Sequence, residues 1–136
     1  MSVKGRTGAR QVLVQALYQM QLTGHDEAQI REDFTSSQEY AAADGAYFDS
    51  LLAGVLATIA ELDELIGKYG DIPAEQLDPV EHAVLWVALA EIRLSPGVPP
   101  KVVLNEAIEL AKLFGAEGSH KYVNGLLDKA AVDLLS

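Results

Sequence analysis

Apolar side chains recur every three or four residues along almost the whole chain, and no stretch alternates apolar and polar residues for long. A strand turns every second side chain to the same face, whereas a helix returns to one face every 3.6 residues, so this rhythm points to an all-α fold. The first helix is predicted over about 7–22, with Leu13, Ala16, Leu17 and Met20 facing inward and a stop near Gly24. A weaker helix over about 27–37 has only Ile30 and Phe34 as large anchors, and Asp44-Gly45 interrupts it. Next comes one long helix over about 46–69. Phe48, Leu51, Leu52, Val55, Leu56, Ile59, Leu62 and Ile66 form its regular inner stripe, and Gly70 can terminate it.

Asp78-Pro79-Val80-Glu81 reads as a helix start. Asp78 can accept from free backbone N–H groups, Pro79 suits the first helical position, and Glu81 can reach back to the cap. The run that follows, Val84 to Ala90 with Trp86, is apolar on every side. A helix greasy all round must be surrounded, which makes this one central. Pro96, Pro99 and Pro100 mark the next connection, leading into a helix through Phe114 that Gly115 closes. The last helix, over about 119–134, buries Val123, Leu126, Leu127, Ala130 and Leu134. Asn124-Gly125 ordinarily signals a turn, but the stripe stays in phase across it, so one helix is kept.

A chain of 136 residues, 49% hydrophobic, is the size of one domain with an ample core. No apolar run approaches the ~18–20 residues of a membrane span. The N-terminal segment is basic and free of acid like a transit peptide. However, it has a single serine, and its apolar residues are needed for the core. The expected location is the cytoplasm. With no cysteine, disulfides and thiolate metal sites are excluded.

The net charge of −10 opposes nucleic-acid binding on average but is unevenly spread. Residues 1–25 hold Lys4, Arg6 and Arg10 and no acid. Seven basic and twenty acidic residues remain, a balance of −13 over residues 26–136. A basic arm, 1–10, on an acidic body marks either an interaction tail or a solubilising terminus.

Catalytic motifs are missing: no phosphate-cradling glycine loop, no G-x-S-x-G and no H-E-x-x-H. His25, His82 and His120 share no ligand spacing, and each reads as structural. Glu106 and Glu109 could pair on one helix face, but Lys112, three residues on, suggests a solvated salt-bridged surface. The expectation is a binding protein and not an enzyme, with no metal and no cofactor.

Two surfaces could bind a strand. Gln11, Gln15 and Tyr18 fall on one side of the first helix, away from its leucines. Cations for phosphates, amides for base edges and aromatics for stacking are the elements of single-stranded RNA recognition. Tyr18 could equally cover the core edge. On the last helix, Tyr122, Gly125 and Lys129 lie opposite the buried leucines, with Lys121 adjacent. Glycine costs about 1 kcal/mol in a helix interior relative to alanine. Close approach of a partner, or tight packing within the fold, could offset it.

Ala9-Arg10 with Val14-Gln15-Ala16-Leu17-Tyr18 resembles the first helix of the bacterial transcription antitermination protein NusB family. Asn105-Glu106-Ala107-Ile108-Glu109-Leu110-Ala111-Lys112, Phe114-Gly115, Lys121-Tyr122-Val123-Asn124-Gly125 and Leu127-Asp128-Lys129 resemble that family's C-terminal half. Tyr47-Phe48, Leu51-Leu52 and the Glu81-to-Glu91 helix extend the likeness over essentially the whole chain.

The resemblance implies about seven helices in two packed three-helix-type bundles. It implies binding to boxA RNA of ribosomal RNA transcripts together with NusE, a small-subunit ribosomal protein. The pair would help load an antitermination complex with other Nus factors onto RNA polymerase. By position, Lys4, Arg6 and Arg10 match the family's basic N-terminus, and Tyr18 and Tyr122 its RNA-facing aromatics. Glu81 matches an acidic residue near the RNA and NusE surface. The expected RNA-binding set is thus Lys4, Arg6, Arg10, Gln15, Tyr18, Glu81, Lys121, Tyr122 and Lys129, with a homodimer possible.

The arm departs from the family pattern, because Gly5, Thr7 and Gly8 interrupt its cations. Three arm cations at about −0.7 each imply a log–log salt slope of only about −2, hence weak binding alone and stronger binding with NusE. The acidic body would steer a basic ribosomal protein. Two rival readings are an acidic protein-binding scaffold with weak or no RNA binding of its own, and an appendage like those of certain ribosomal RNA methyltransferases. For the latter, this chain supplies no methyl-donor site.

Overall fold

A computed structural model describes residues 3–135. In chain order, α1 spans Gly5–Thr23, α2 Glu27–Thr35, α3 Gln38–Ala42 and α4 Gly45–Ala57. Then follow α5 (Ile59–Gly70), a 3-10 turn at Ala74–Gln76, α6 (Pro79–Leu94), α7 (Pro100–Phe114) and α8 (Ser119–Leu134). No strand occurs among the described residues; the chain is all-α.

Short polar residues set four of the helix starts by accepting from backbone N–H groups that have no partner inside the helix. Asp26 accepts from Gln29 N–H, Ser37 from Tyr40 N–H, and Asp44 from Tyr47 N–H. Asp78 accepts from both Val80 and Glu81 N–H groups ahead of Pro79. Replacing Asp78 by alanine is expected to cost about 1 kcal/mol, read as a lower midpoint in urea unfolding.

Three expectations need correction. The stripe over 46–69 belongs to two helices, because α4 ends and α5 begins at Thr58. There the hydroxyl donates to the Gly54 carbonyl at 2.7 Å, a side-chain bond that competes with the helix ladder. The weak helix predicted over about 27–37 is α2, but a short α3 capped by Ser37 follows it that was not expected. The described residues hold eight α-helices, in keeping with the expected all-α class. Finally, residues 5–10 are not an arm. Helix α1 starts at Gly5, and Asp44 N–H donates to the Gly5 carbonyl at 2.9 Å, tying the start down. Met1 and Ser2 of that arm lie outside the described residues.

Helix α6 is the hub, with every residue from His82 to Ile92 buried. It packs against α1 and α4 on one side and α5, α7 and α8 on the other. The two bundles are α1–α4 and α5–α8, and α6 lies in the core of both. Phe48, Leu13, Leu17, Leu52, Leu62, Leu85, Leu89 and Leu127 are fully enclosed around it. Asp63 on α5 accepts from Trp86 Nε1 at 2.8 Å and lies 2.6 Å from His82 Nε2, joining α5 to α6. Among the described residues no helix is long and apolar enough to cross a membrane.

Candidate nucleic-acid interface

The inner stripe of α1 faces α6, which leaves Gln15 and Tyr18 on the outside. Tyr18 is 38% exposed. Its ring borders a groove of about 490 Å3 whose walls include Val14, Gln15, Val80 and Phe114. Gln21 at the far end of α1 donates to the Pro79 carbonyl at 2.9 Å, so α1 is bonded to the first turn of α6.

That turn connects the two tyrosines. Val80 lines the Tyr18 groove, and the next residue, Glu81, accepts from Ser119 Oγ at 2.9 Å at the start of α8. Tyr122 follows one turn later, half-buried, with its hydroxyl 3.3 Å from the Gly70 carbonyl. Burial first, and then the negative charges of Glu81 and Asp71, push this phenol above the ordinary tyrosine value. The hydroxyl therefore keeps its proton and donates. Tyr18 and Tyr122 thus each have a neighbour in the first turn of α6, Val80 and Glu81 respectively, and neither ring is fully enclosed.

Beyond Tyr122, a shallow groove of about 160 Å3 runs between α8 and the end of α5, lined by Gly70, Asp71, Lys121, Gly125 and Lys129 among others. Lys121, Gly125 and Lys129 are exposed. Lys129 Nζ lies 3.9 Å from Asp71 Oδ2, a loose pair in water that contributes little stability.

The N-terminal cations divide. Lys4 and Arg6 are exposed, with the Arg6 guanidinium 4.6 Å from the centre of the Tyr47 ring. Arg10 does not belong with them: it is 3% exposed. Its Nε donates to both oxygens of Glu91, at 2.9 and 3.1 Å, and its Nη2 to Glu91 Oε2. Its Nη1 lies 3.3 Å from Glu106 Oε1, which also accepts from Thr7 Oγ1 at 2.7 Å. Tyr47 completes the cluster by donating to Glu91 at 2.6 Å. Burial works against the Arg10 charge, but the hydrogen bonds and negative charge of Glu91 outweigh it and raise its pKa above the ordinary value. The expectation that Arg10 holds a phosphate is corrected, because its donors are already committed inside the protein. The same contacts correct the reading of Glu106 as part of a solvated face with Lys112.

Gln15 and Tyr18 therefore share one groove, and Lys121, Tyr122 and Lys129 a second along α8, with Glu81 in the first turn of α6 near Tyr122. Arg6 stands about 18 Å up α1 from Tyr18, twelve residues at 1.5 Å each. Val80 and Phe114, which floor the Tyr18 groove, were not foreseen; as apolar residues at helix ends they carry no sequence mark of exposure. Arg10 did carry a signal. It lies three residues before Leu13 and seven before Leu17, within the buried stripe, and Glu91 lies within the greasy run of α6. Opposite charges in two buried stripes imply a buried pair.

Fold and surface define an all-helical protein with an exposed Tyr18, a half-buried Tyr122 and exposed lysines along its last helix. The NusB family profile matches residues 7–132. The transcription antitermination protein NusB of Shewanella pealeana is 48% identical over 124 residues, covering 91% of this chain and 92% of that protein. Its counterpart from Proteus mirabilis is 47% identical over 131 residues, 96% of each chain. Among solved structures, T. maritima NusB superposes with a TM-score of 0.83 at 30% identity, covering 98% of this chain and 94% of its own. A crystal structure of the antitermination factors NusB and NusE in complex with dsRNA shares the fold, with a TM-score of 0.81 at 23% identity. It covers 93% of this chain and 96% of the other. This chain belongs to the NusB family of transcription antitermination factors.

Proposed function

We propose that this chain, acting as one domain over residues 1–136, binds boxA RNA of ribosomal RNA transcripts jointly with NusE. The pair nucleates an antitermination complex with other Nus factors on RNA polymerase. Tyr18 and Tyr122 stack on bases, Gln15 reaches a base edge, and Lys4, Arg6, Lys121 and Lys129 hold phosphates. Glu81, an acid near Tyr122, repels phosphate and suits a basic residue of NusE.

The observation that carries this reading is that Tyr18 and Tyr122 both neighbour the first turn of α6, with lysines beside the second ring. A structural neighbour that contains NusB, NusE and RNA lends support.

Titrating labelled boxA RNA with this protein, with and without NusE, tests the proposal. Binding is expected to tighten when NusE is added, and a scrambled RNA to bind more weakly. Equal affinity for boxA and scrambled RNA, or no RNA binding in either mixture, would overturn it. With four phosphate-facing cations, log Kd is expected to change with log salt by a slope of about 3 in magnitude.

Asp71 and Glu81 beside Tyr122 favour a second reading, an acidic protein-binding scaffold. That reading predicts NusE binding with RNA affinity unchanged by NusE.

A further inference from the structure

Three of the chain's four arginines are paired with carboxylates: Arg10 with Glu91, Arg31 with Glu27 and Asp49, and Arg93 with Glu61. Arg6 has no carboxylate partner among the described residues, in a chain that holds twenty acids. Its guanidinium lies instead over the Tyr47 ring, 4.6 Å from the centre. A cation drawn to a neutral ring face keeps its full charge. It also keeps its donors, because a ring face consumes none of the in-plane N–H groups. A carboxylate would have held Arg6 and neutralised it. The ring holds it and leaves it open to an anion from solvent.

Tyr47 can serve as a fixed seat because its own position is set from within. It stands in the first turn of α4, where Asp44 accepts from its N–H at 3.0 Å. Its hydroxyl donates at 2.6 Å to Glu91, which is 1% exposed and bonded to Arg10. Burial, and then the bond to Glu91, raise the phenol pKa, so the ring stays neutral. The backbone leading into Arg6 is fixed as well, since Asp44 N–H donates to the Gly5 carbonyl at 2.9 Å. Main chain and side chain at Arg6 are thus both anchored on the start of α4.

We infer that Tyr47 is a positioning residue for RNA binding: its ring face holds the Arg6 guanidinium at the surface with the in-plane donors free for a phosphate. The inference rests on the RNA-binding reading above and goes past it, by giving a role to a residue that acts through Arg6. The effect is pre-organisation, because an arginine already held loses less side-chain freedom when it meets the phosphate.

The test uses the full chain with NusE and labelled boxA RNA at about 0.15 M salt. Arg6→Ala, Tyr47→Leu, Tyr47→Phe and the double variant Arg6→Ala with Tyr47→Leu are compared with wild type, with Tm measured on each. Arg6→Ala is expected to weaken binding about three- to fivefold and to flatten the log–log salt slope by about 0.7, the share of one phosphate. Tyr47→Leu keeps apolar bulk, loses the ring face and leaves the charge unchanged. It is expected to weaken binding about two- to fivefold. Tyr47→Phe keeps the ring without the hydroxyl and is expected to bind within about twofold of wild type, with a lower Tm. In the Arg6→Ala background Tyr47→Leu is expected to cost no further affinity, since no cation is left to position.

A loss from Tyr47→Leu as large without Arg6 as with it shows a merely structural role and overturns the inference. Wild-type affinity in a folded Tyr47→Leu, or a Tyr47→Phe as weak as Tyr47→Leu, overturns it too. Arg6→Ala binding like wild type removes Arg6 from the site and the inference with it, while the RNA reading stands on the remaining residues. Absence of RNA binding by the wild type removes both. Should Tyr47→Leu fail to fold, the wild type decides by NMR. The ring current shifts the Arg6 side-chain protons upfield, and that shift is expected to persist with RNA bound; its loss on binding overturns the inference.

Discussion

Replacing Glu91 with alanine is expected to remove about 3–5 kcal/mol of folding stability, measured as a shift of the urea midpoint at unchanged slope. Glu91 is 1% exposed and takes three of the bonds around the Arg10 guanidinium, along with the Tyr47 hydroxyl. Without it, Arg10 keeps the 3.3 Å contact to Glu106 and the Tyr47 ring face at 5.7 Å, and a buried cation is left short of hydrogen-bond acceptors. Tyr47 loses its short acceptor and retains only Ser95 Oγ at 3.4 Å. Because the cost lies in the charge left behind, removing both charges together is expected to restore most of the loss. Arg10→Met combined with Glu91→Leu serves as that variant. A double variant no more stable than Glu91→Ala would show that the pair contributes net stability beyond satisfying itself. Arg10→Ala carries a second consequence: loss of RNA affinity in that variant is expected to track loss of folded protein.

Alanine at Tyr18 or Tyr122 is expected to weaken boxA binding by about 1–3 kcal/mol each, roughly 5- to 150-fold. The two positions need different controls. Tyr18 makes no hydrogen bond that ties it to the fold, and it borders an open groove, so Tyr18→Ala reads almost purely on binding. Tyr122 leans on the core and reaches the Gly70 carbonyl, so Tyr122→Ala also costs stability. Tyr122→Phe separates the two effects: it deletes the hydroxyl, keeps the ring, and is expected to bind RNA within about twofold of wild type. A folded Tyr18→Ala with wild-type affinity, measured together with NusE, would remove that ring from the site. The Tyr122 pair of variants decides the other ring in the same way.

Most of the fold was legible because burial and helical period are the same information. The α6 run, greasy on every side, is the enclosed hub, and α8 continues through Asn124-Gly125 as its unbroken stripe requires. What the pattern hides is a break that preserves phase. At Thr58 two helices meet with their apolar faces still aligned, and only the competing hydroxyl marks the joint. The outward placement of candidate residues was legible where helical phase sets it, as for Gln15 and Tyr18. Arg10 shows the limit of reading by residue type. A basic residue near a basic terminus suggests a surface cation, yet its register with Leu13 and Leu17 places it inside, opposite Glu91. Helical phase outranked composition there. Juxtapositions such as Val80 and Phe114 beneath Tyr18 depend on how helix ends meet, which no local pattern encodes.

The arrangement of α6 bears on how the molecule comes apart. Both bundles pack against the same eleven buried residues of α6, His82 to Ile92, so the two halves are expected to unfold together and neither to stand as a self-sufficient module. A chain cut anywhere between α4 and α6 would leave one fragment with an open, greasy trough and no rod to fill it. The same rod begins at the turn that both tyrosines neighbour. The enclosed interior and the surface around that turn thus share a single helix.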